Sequence, residues 1–446
     1  MAMTHTPTAI DLLIEARWII PVEPADVVLE NHAIAIDNGK IVAILQQAEA
    51  QLLFLPKETK RLAHHILIPG LINLHTHAAM TLLRGFADDL PLMEWLQKHI
   101  WPAEARFVSP QFVRDGTALA CAEMLLGGTT CFNDMYFFPQ AAAEAALEAG
   151  MRAAIGLIAI DAPTTYATDA DDYLAKGLAT RDVLRGEKLL TFCLAPHAPY
   201  TVSDKNFAKI LTLAEQCDLP IHLHLHETQQ EIVEEKARTG LRPIERLRHL
   251  GLLGPELTAA HAIHLQPDEI ELLAQHGCSV AHCPSSNLKL ASGIAPITEM
   301  TKHGLNVGLG TDGAASNNRL DLFEEMRLCA LLAKAQSGQA DAINAHQALH
   351  LATLGGARAL GIDRITGSLT PGKEADLCAL DVNRINLVPC YDAISHVVYA
   401  IGRENVSDVW VAGIQRVKDG QLTGKREIEL INLAALWQNQ IRPRDA

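Results

Sequence analysis

Short hydrophobic runs alternate with longer amphipathic stretches along the middle of the chain. Between Leu71 and Gly361 there are eight such runs, each short enough to be one buried strand. They read LINLHTH, TTCFNDMY, MRAAIGLIAI, LLTFCLAPHAPY, PIHLHLHE, LTAAHAIHL, CSVAHCPSSN and NVGLGTDG. In the stretch after the first run, Ser109 is a predicted helix N-cap, Pro110 occupies the first turn and Gly127-Gly128 follows the end. Eight strands alternating with helices predict an α/β fold with a (β/α)8 TIM-type barrel.

The two ends of the chain have a different pattern. Residues 10–68 contain DLLIEARWIIP, HAIAIDNGKIVAIL and HHILIPG, which predict short strands and a hairpin turn at Asp37-Asn38-Gly39. The C-terminal part returns to this pattern in GSLTPGKEADLCALD and VSDVWVAGIQRVKDGQL. We therefore expect residues 1–68 and 363–446 to build a small β-sandwich with a terminal helix, and residues 69–362 to form the barrel. A doubly wound open sheet is the alternative, but no glycine-rich phosphate loop follows the first run.

Composition narrows the class of protein without fixing the fold. The net charge of −15 argues against a nucleic-acid or anionic-membrane partner. The start, MAMTHTPTAIDLLIEARW, lacks a basic segment followed by an apolar one, and no apolar run reaches the roughly 20 residues that span a bilayer. Nine cysteines without a CxxC pair argue against a disulfide framework and against cysteine-ligated zinc. We expect a cytoplasmic enzyme with a small-molecule substrate.

Residues of metal-binding type stand at the ends of three predicted strands. Because residues i and i+2 of a strand share a face, His75 and His77 point the same way. The fifth run presents three histidines on one face and the eighth run ends in an aspartate: His222, His224, His226 and Asp312. The carboxyl ends of barrel strands meet at one mouth. Three imidazoles and one carboxylate suit a catalytic zinc or another borderline divalent ion, although an isolated HxH is equally compatible with a hydrogen-bonded pair.

Several motifs carry a family resemblance. The segments PGLINLHTH, HLHLHE, TAAHAIHL, AHCPSSNLKLASG, GLGTDGAASNN and GSLTPGKEADL resemble the amidohydrolase superfamily. The chain is most similar to the group of 5′-methylthioadenosine/S-adenosylhomocysteine deaminases and s-triazine chlorohydrolases, over nearly its whole length. The resemblance implies hydrolytic deamination of an adenine nucleoside to the inosine analogue and ammonia. It implies 5′-methylthioadenosine as substrate, with S-adenosylhomocysteine and adenosine as further candidates.

The resemblance also implies a ligand set. The implied metal ligands are His75, His77, His224 and Asp312. On the fifth strand the family's ligand lies three residues before the catalytic glutamate, which selects His224 and makes Glu227 the proton carrier. His197 stands where two-metal members carry a modified lysine, so we expect one Zn²⁺ per subunit, with Fe²⁺ or another divalent ion as the alternative. We expect a structural role for His222, and His226 either at the pocket wall or packed away from it.

The resemblance also implies the catalytic roles. Glu227 would give a proton to ring N1 of the purine as the attacking water adds at C6. Asp312 would take the proton of that water and pass it to the departing ammonia. His261, at the end of the sixth run, matches the histidine that polarises or orients the attacking hydroxide.

The segment RGFADDLPLMEWLQKHIWPAEARF is expected to form a lid over the barrel mouth. The resemblance implies substrate contacts from Trp95 and Glu104 in this segment and a ribose contact from His197, alongside Glu227 and Asp312. A carboxylate such as Glu104 can accept hydrogen bonds from both ribose hydroxyls. Triazine hydrolases need no ribose contact, so Glu104 and His197 favour a nucleoside.

Two other functions stay open at this stage. One is a related amidohydrolase that deaminates a free base or dechlorinates a triazine. The other, from a different class, is a barrel that has lost catalysis and serves as a scaffold. The chain lacks the paired HxE and PCxxC motifs of the cytidine- and tRNA-adenosine-type zinc deaminases, since no CxxC occurs. We expect the protein to be a homo-oligomer.

Overall fold

The computed structural model describes residues 6–442. The first five and last four residues of the predicted small domain lie outside this range. Within it, the strands form two eight-stranded sheets. The first sheet is mixed and comes from both chain ends, in the order β16-β15-β14-β13-β4-β1-β2-β3. Its strands are β1 (Thr8–Ile19), β2 (Leu29–Asp37), β3 (Lys40–Gln46), β4 (Phe54–Pro69), β13 (Leu377–Asp381), β14 (Val406–Val411), β15 (Ile414–Lys418) and β16 (Gln421–Leu422).

The second sheet is the barrel. All eight predicted runs form its strands, and neighbours in the sequence are parallel neighbours in the sheet. They are β5 (Leu71–Thr76), β6 (Thr129–Tyr136), β7 (Arg152–Ala159), β8 (Leu190–Pro196), β9 (Ile221–Leu225), β10 (Leu257–His261), β11 (Ser279–His282) and β12 (Asn306–Leu309). Just beyond β12, the backbone N–H of Asp312 donates to the carbonyl of His75 at 2.9 Å, which joins the last strand to the first.

Most helices connect the barrel strands or pack on the barrel, whereas the first one lies between β3 and β4 in the small domain. They are α1 (Gln47–Leu53), α2 (Leu92–Trp95), α3 (Trp101–Phe107), α4 (Pro110–Leu126), α5 (Pro139–Ala149), α6 (Ala170–Leu184), α7 (Asp204–Cys217), α8 (Gln229–Thr239), α9 (Pro243–His249), α10 (Pro267–Gln275), α11 (Pro284–Lys289), α12 (Ile297–Lys302), α13 (Leu322–Ser337), α14 (Ala345–His350), α15 (Gly356–Ala359), α16 (Ala393–Tyr399) and α17 (Glu427–Ile441). The predicted start of α4 is confirmed, because the Ser109 hydroxyl accepts from the N–H of Phe112 at 3.2 Å. In residues 6–442 no helix has the length and apolar character needed to cross a membrane.

The small domain has its own hydrophobic core. Side chains on alternate positions of β1, such as Leu12 and Ile14, pack with residues of β13 and β14, among them Leu377 and Trp410. The predicted turn at residues 37–39 joins β2 to β3 as an antiparallel hairpin. The exact boundaries at 68/69 and 362/363 remain a prediction.

A buried ion pair connects the two sheets. Arg152, the first residue of β7, donates through Nε to Asp376 at 3.1 Å, and both side chains are buried. Asp376 also accepts from the N–H of Ala412 at 2.6 Å. The small domain is thereby attached at the amino-terminal end of a barrel strand, which leaves the carboxyl-terminal mouth free for chemistry.

Candidate active site

The four predicted metal ligands meet at the carboxyl-terminal mouth of the barrel. His75 lies on β5, His77 directly follows it, His224 lies on β9, and Asp312 follows β12. Asp312 Oδ1 is 3.2 Å from His77 Nε2 and 3.5 Å from His75 Nε2. His224 Nε2 is 3.4 Å from His77 Nε2. Residues separated by up to 237 positions in the sequence, His75 to Asp312, therefore present donor atoms to one small volume.

The imidazoles of His77 and His224 are each oriented by a hydrogen bond from Nδ1, so that Nε2 faces this volume. His77 donates from Nδ1 to the carbonyl of Met135 at 2.6 Å, and His224 donates from Nδ1 to the carbonyl of His197 at 2.7 Å. In their neutral forms both rings then carry a lone pair on Nε2. Two lone pairs that face each other across 3.4 Å are repulsive unless a cation or a proton lies between them.

The spacing of these atoms fits a tetrahedral divalent ion. With Zn–N and Zn–O bonds of about 2.0–2.1 Å, the edges of a tetrahedron are about 3.3–3.4 Å. The observed separations are 3.2, 3.4 and 3.5 Å. Among the described residues, His75 Nε2 is buried without a hydrogen-bond partner, which is costly unless something binds it. The donor set thus fits a zinc-like ion.

Protonation within this cluster is coupled. Burial lowers the pKa of His75 to about 4 and the pKa of His224 well below its usual range, so both are neutral. Burial opposes charge on His77 too, but its hydrogen bond to Asp312 raises the pKa to about 9. Burial would raise the pKa of Asp312, yet the two histidines hold it well below its usual range. A divalent ion would replace the proton that His77 and Asp312 share, because metal binding releases protons from such ligands.

Hydroxyl and backbone donors fix the carboxylate of Asp312. Its Oδ2 accepts from the hydroxyls of Ser286 at 2.7 Å and Ser316 at 2.8 Å. Its Oδ1 accepts from the N–H of Gly313 at 2.8 Å and also faces the histidines. The backbone of Asp312 is left-handed, with φ of +62°, a strained geometry that is common where function requires it.

Glu227 and His261 form the neighbouring part of the site. His261 Nε2 lies 3.9 Å from Glu227 Oε2, and Nδ1 of His261 is 2.8 Å from Asn287 Oδ1. Because an amide oxygen only accepts, Nδ1 carries the hydrogen and Nε2 faces the site. Burial raises the pKa of Glu227, which favours a carboxyl group able to hold a proton.

The carboxylate of Glu231 holds the turn that carries Glu227. It accepts from the backbone N–H of His226 at 3.2 Å and of Glu227 at 2.9 Å. The backbone of His226 has φ of +54°, so the strand direction ends there. Burial raises the pKa of Glu231 to about 8.

The two remaining histidines of the fifth run lie away from the cluster's open side. His222 sits deeper in the barrel, with Nε2 3.0 Å from His75 Nδ1 and Nδ1 3.0 Å from Asn133 Nδ2. His226 is fully buried, and its Nε2 accepts from the N–H of Ile244 at 3.3 Å. Of the two positions expected for His226, the structure has the one packed away from the pocket.

A cavity of about 390 Å³ opens above the donor cluster. The predicted lid segment forms a nearly continuous helical stretch from Leu92 to Phe107 at its rim. The predicted site residues that line the cavity are Trp95, Glu104, His197, Glu227, His261, His77, His224 and Asp312. His75 lies beneath this lining and is fully buried. The predicted catalytic and substrate residues therefore share one cavity with the ligand cluster.

Glu104 enters the cavity from the lid and is fixed there. The hydroxyl of Tyr136, the last residue of β6, donates to Glu104 Oε1 at 2.7 Å. Burial raises the pKa of Glu104 to about 7, against the hydrogen bond from Tyr136, which lowers it. One carboxylate oxygen is thus occupied by the protein.

Sequence reasoning did not single out several residues that support the site. They are Tyr136, Ser286, Asn287, Ser316 and Glu231. Tyr136 could have been predicted as a site residue from its place at the carboxyl end of a barrel strand, where functional residues are found. Ser286 and Asn287 lie within AHCPSSN, a motif whose polar residues follow the seventh strand.

The chain is similar to known proteins over most of its length. Residues 66–416 match the amidohydrolase family. A 5-methylthioadenosine/S-adenosylhomocysteine deaminase of Saccharophagus degradans is 46% identical over 439 residues, which cover 98% of each chain. The crystal structure of an adenosine deaminase from Xanthomonas campestris with bound zinc superposes with a TM-score of 0.97, at 48% identity, over 98% of this chain and 100% of that one.

A more distant structure shows the fold alone. A triazine hydrolase variant superposes with a TM-score of 0.87, covering 96% of this chain and 99% of that one, at 24% identity. At that identity the likeness carries no argument about substrate. The family match, the full-length relative and the barrel with its histidine cluster lead to one conclusion: the chain belongs to the amidohydrolase family.

Proposed function

We propose that this protein is a metal-dependent hydrolase that deaminates an adenine nucleoside to the inosine analogue and ammonia, with 5′-methylthioadenosine as substrate. The observation that carries the proposal is the shared cavity, in which a metal-type donor cluster, a buried acid and a second carboxylate meet. The names of the similar proteins, two adenosine-type deaminases, support the same reaction.

The proposed cofactor is one divalent ion per chain, with zinc first and Fe²⁺ as the alternative. Its proposed ligands are His75, His77, His224 and Asp312, whose donor atoms have the spacing described above. A bound ion of this kind supplies a nucleophile at neutral pH, because it lowers the pKa of water to about 7.

The protein's own residues would move the protons. Glu227, whose pKa is raised by burial, donates to ring N1 and so stabilises the charge that develops there as water attacks C6. Asp312 takes a proton from the attacking water and passes it to the departing ammonia, and the proton of the C6 hydroxyl returns to Glu227 as the carbonyl forms. His261 orients that water with Nε2, because Asn287 fixes the other ring nitrogen.

The substrate's sugar would be held on the lid side of the cavity. Glu104 accepts hydrogen bonds from the ribose hydroxyls, and Tyr136 keeps its carboxylate in place. His197, whose Nδ1 is 3.1 Å from the Thr201 hydroxyl, offers a further polar contact. Trp95 is buried in the lid and closes the cavity over the base.

The decisive experiment is a substrate panel on metal-analysed protein. Adenine, adenosine, 5′-methylthioadenosine and a chlorinated s-triazine are incubated with the enzyme, and released ammonia or chloride is measured. We expect ammonia from the nucleosides at much higher kcat/KM than from adenine. Turnover of adenine or the triazine above that of the nucleosides would support the free-base or triazine alternative. Absence of both metal and turnover would support the scaffold.

We also propose that the protein is located in the cytoplasm and that it is a homo-oligomer. Nine cysteines without a CxxC pair support the first, because disulfide frameworks are typical of oxidising compartments. Light scattering after size-exclusion chromatography measures the second directly, and a mass near 48.5 kDa would contradict it.

A further inference from the structure

Each charged group of the cavity lining has a proposed role. Glu227, Asp312 and the histidines surround the proposed reaction centre, and Glu104 marks the proposed sugar position. Among the described residues, no lysine or arginine lines this cavity. Every acidic or basic group in its lining is thus already assigned to the metal, to proton transfer or to the ribose.

The wall beyond Glu104 is uncharged. Phe137 directly follows Tyr136, the partner of Glu104, and is buried against the Tyr136 ring with centroids 5.2 Å apart. Ile160 and the rim residues 162–165, Ala-Pro-Thr-Thr, continue this wall. A substituent on C5′ of a nucleoside held at Glu104 therefore meets aromatic and aliphatic surface first.

The rim loop itself is held in place and is acidic. The Thr164 hydroxyl lies 2.5 Å from that of Tyr173, and the rings of Phe138 and Tyr166 pack with centroids 5.0 Å apart. Residues 160–172 contain four aspartates and no lysine or arginine. This segment offers no cation that a carboxylate on the 5′ substituent could pair with.

The nearby cations are engaged or point elsewhere. Lys176 donates to Asp172 and to the carbonyl of Tyr166, both at 2.8 Å. Arg106 lies two positions after Glu104 on the same helix, which places it on the opposite side, and it is exposed. Lys176 cannot reach the inner wall without breaking its contacts to Asp172 and Tyr166.

We infer that this enzyme selects adenine nucleosides with an uncharged 5′ substituent and discriminates against the zwitterionic homocysteine group of S-adenosylhomocysteine. The inference rests on the proposed function. A methylthio group gains from contact with Phe137 and Ile160. The carboxylate of a homocysteine group would instead lose water without gaining a cationic partner, since among the described residues no lysine or arginine lines the cavity.

Three nucleosides separate charge from length: 5′-methylthioadenosine, 5′-(n-butylthio)adenosine and S-adenosylhomocysteine. The butylthio compound has a chain of similar length without charges. We expect its kcat/KM to stay within about tenfold of that for methylthioadenosine, and that for S-adenosylhomocysteine to lie at least about tenfold below butylthio. A smaller gap between the last two would overturn the inference, and so would a butylthio compound as poor as S-adenosylhomocysteine. If none of the three is deaminated, the proposed function itself fails and this inference with it.

A pair of variants checks where the 5′ group lies. In Phe137→Ala, kcat/KM for the butylthio compound should fall about tenfold more than kcat/KM for adenosine, whose 5′-hydroxyl makes little apolar contact. Phe137→Leu, which keeps an apolar side chain, should retain most of the difference between the two substrates. Using adenosine as the internal reference removes any general loss of folded enzyme. Equal losses for both substrates in Phe137→Ala would overturn the assignment of this wall.

Discussion

Tyr136 donates its hydroxyl hydrogen to Glu104 at 2.7 Å, and this contact ties the lid to the barrel. Tyr136 ends strand β6, whereas Glu104 lies on α3 of the lid. The contact uses one acceptor site of Glu104 Oε1 and leaves the other acceptor sites of the carboxylate for the two ribose hydroxyls. Its removal should therefore affect the sugar contact without touching the metal ligands.

Tyr136→Phe should lower kcat/KM for 5′-methylthioadenosine by about tenfold, mainly through KM, because one hydrogen bond to a charged group is lost. That bond lowers the pKa of Glu104, which burial raises to about 7. Without it the pKa rises further, so the carboxylate becomes protonated at higher pH. The acid limb of the pH profile of 1/KM should accordingly move to higher pH. An unchanged profile would remove Glu104 from substrate binding.

Glu104→Ala should remove two charge-assisted hydrogen bonds to the ribose, each worth about 1.5–3 kcal/mol at a buried site. The loss should be similar for methylthioadenosine and adenosine, which carry the same ribose. The matched control is a 2′,3′-dideoxy analogue, which should be a poor substrate of the wild type and lose little more in the variant. Equal losses with and without the hydroxyls would make Glu104 a packing residue of the lid.

Glu227→Gln should keep the metal but lose about 10²–10⁴-fold in kcat, since glutamine can hydrogen-bond to N1 but has no transferable proton. Elemental analysis and steady-state kinetics on the same preparation measure both properties. A loss smaller than about a hundredfold would assign the proton transfer to another group.

Replacement of His224 by alanine should empty the metal site, and His75→Ala and Asp312→Ala should weaken metal retention and abolish turnover. His226→Ala is the matched control on the same run and should leave the metal content intact, because its Nε2 accepts from Ile244 away from the cluster. His222→Ala should retain metal but bind it less tightly, since His222 lies 3.0 Å from Nδ1 of His75. Metal loss in His222→Ala with retention in His224→Ala would reverse the assignment on β9.

Arg152→Met should destabilise the protein by about 3–5 kcal/mol, because it leaves Asp376 charged and buried at the contact between the two sheets. The control is Lys57→Met, which removes an exposed ion pair to Asp11 and should leave the free energy of unfolding close to that of the wild type. Denaturant unfolding of both variants measures the difference. If both variants change the free energy of unfolding only slightly, the ion pair between Arg152 and Asp376 contributes little to stability.

The strands of the barrel and the types of residue at their ends could be predicted from the sequence because they depend on local periodicity. Alternation of side chains along LINLHTH places His75 and His77 on one face whatever the rest of the chain does. The start of α4 at Ser109 was equally local, since the cap bonds to an N–H three residues away. Family resemblance added the choice of His224 and the roles of Glu104 and His197, which no spacing rule supplies.

Tertiary structure decided the contacts between elements that are distant in the sequence. Alternation gives His222, His224 and His226 the same face, but packing separates them: His222 lies against His75, His224 faces His77, and the left-handed backbone at His226 turns that ring away. The pairing of Tyr136 with Glu104 and the hydroxyls around Asp312 depend on how the lid and the loops settle on the barrel. The donors that the strand ends carry follow from local sequence, because side-chain direction in a strand is a local property. Only the closed barrel decided which donors meet, because that depends on the relative positions of all eight strands.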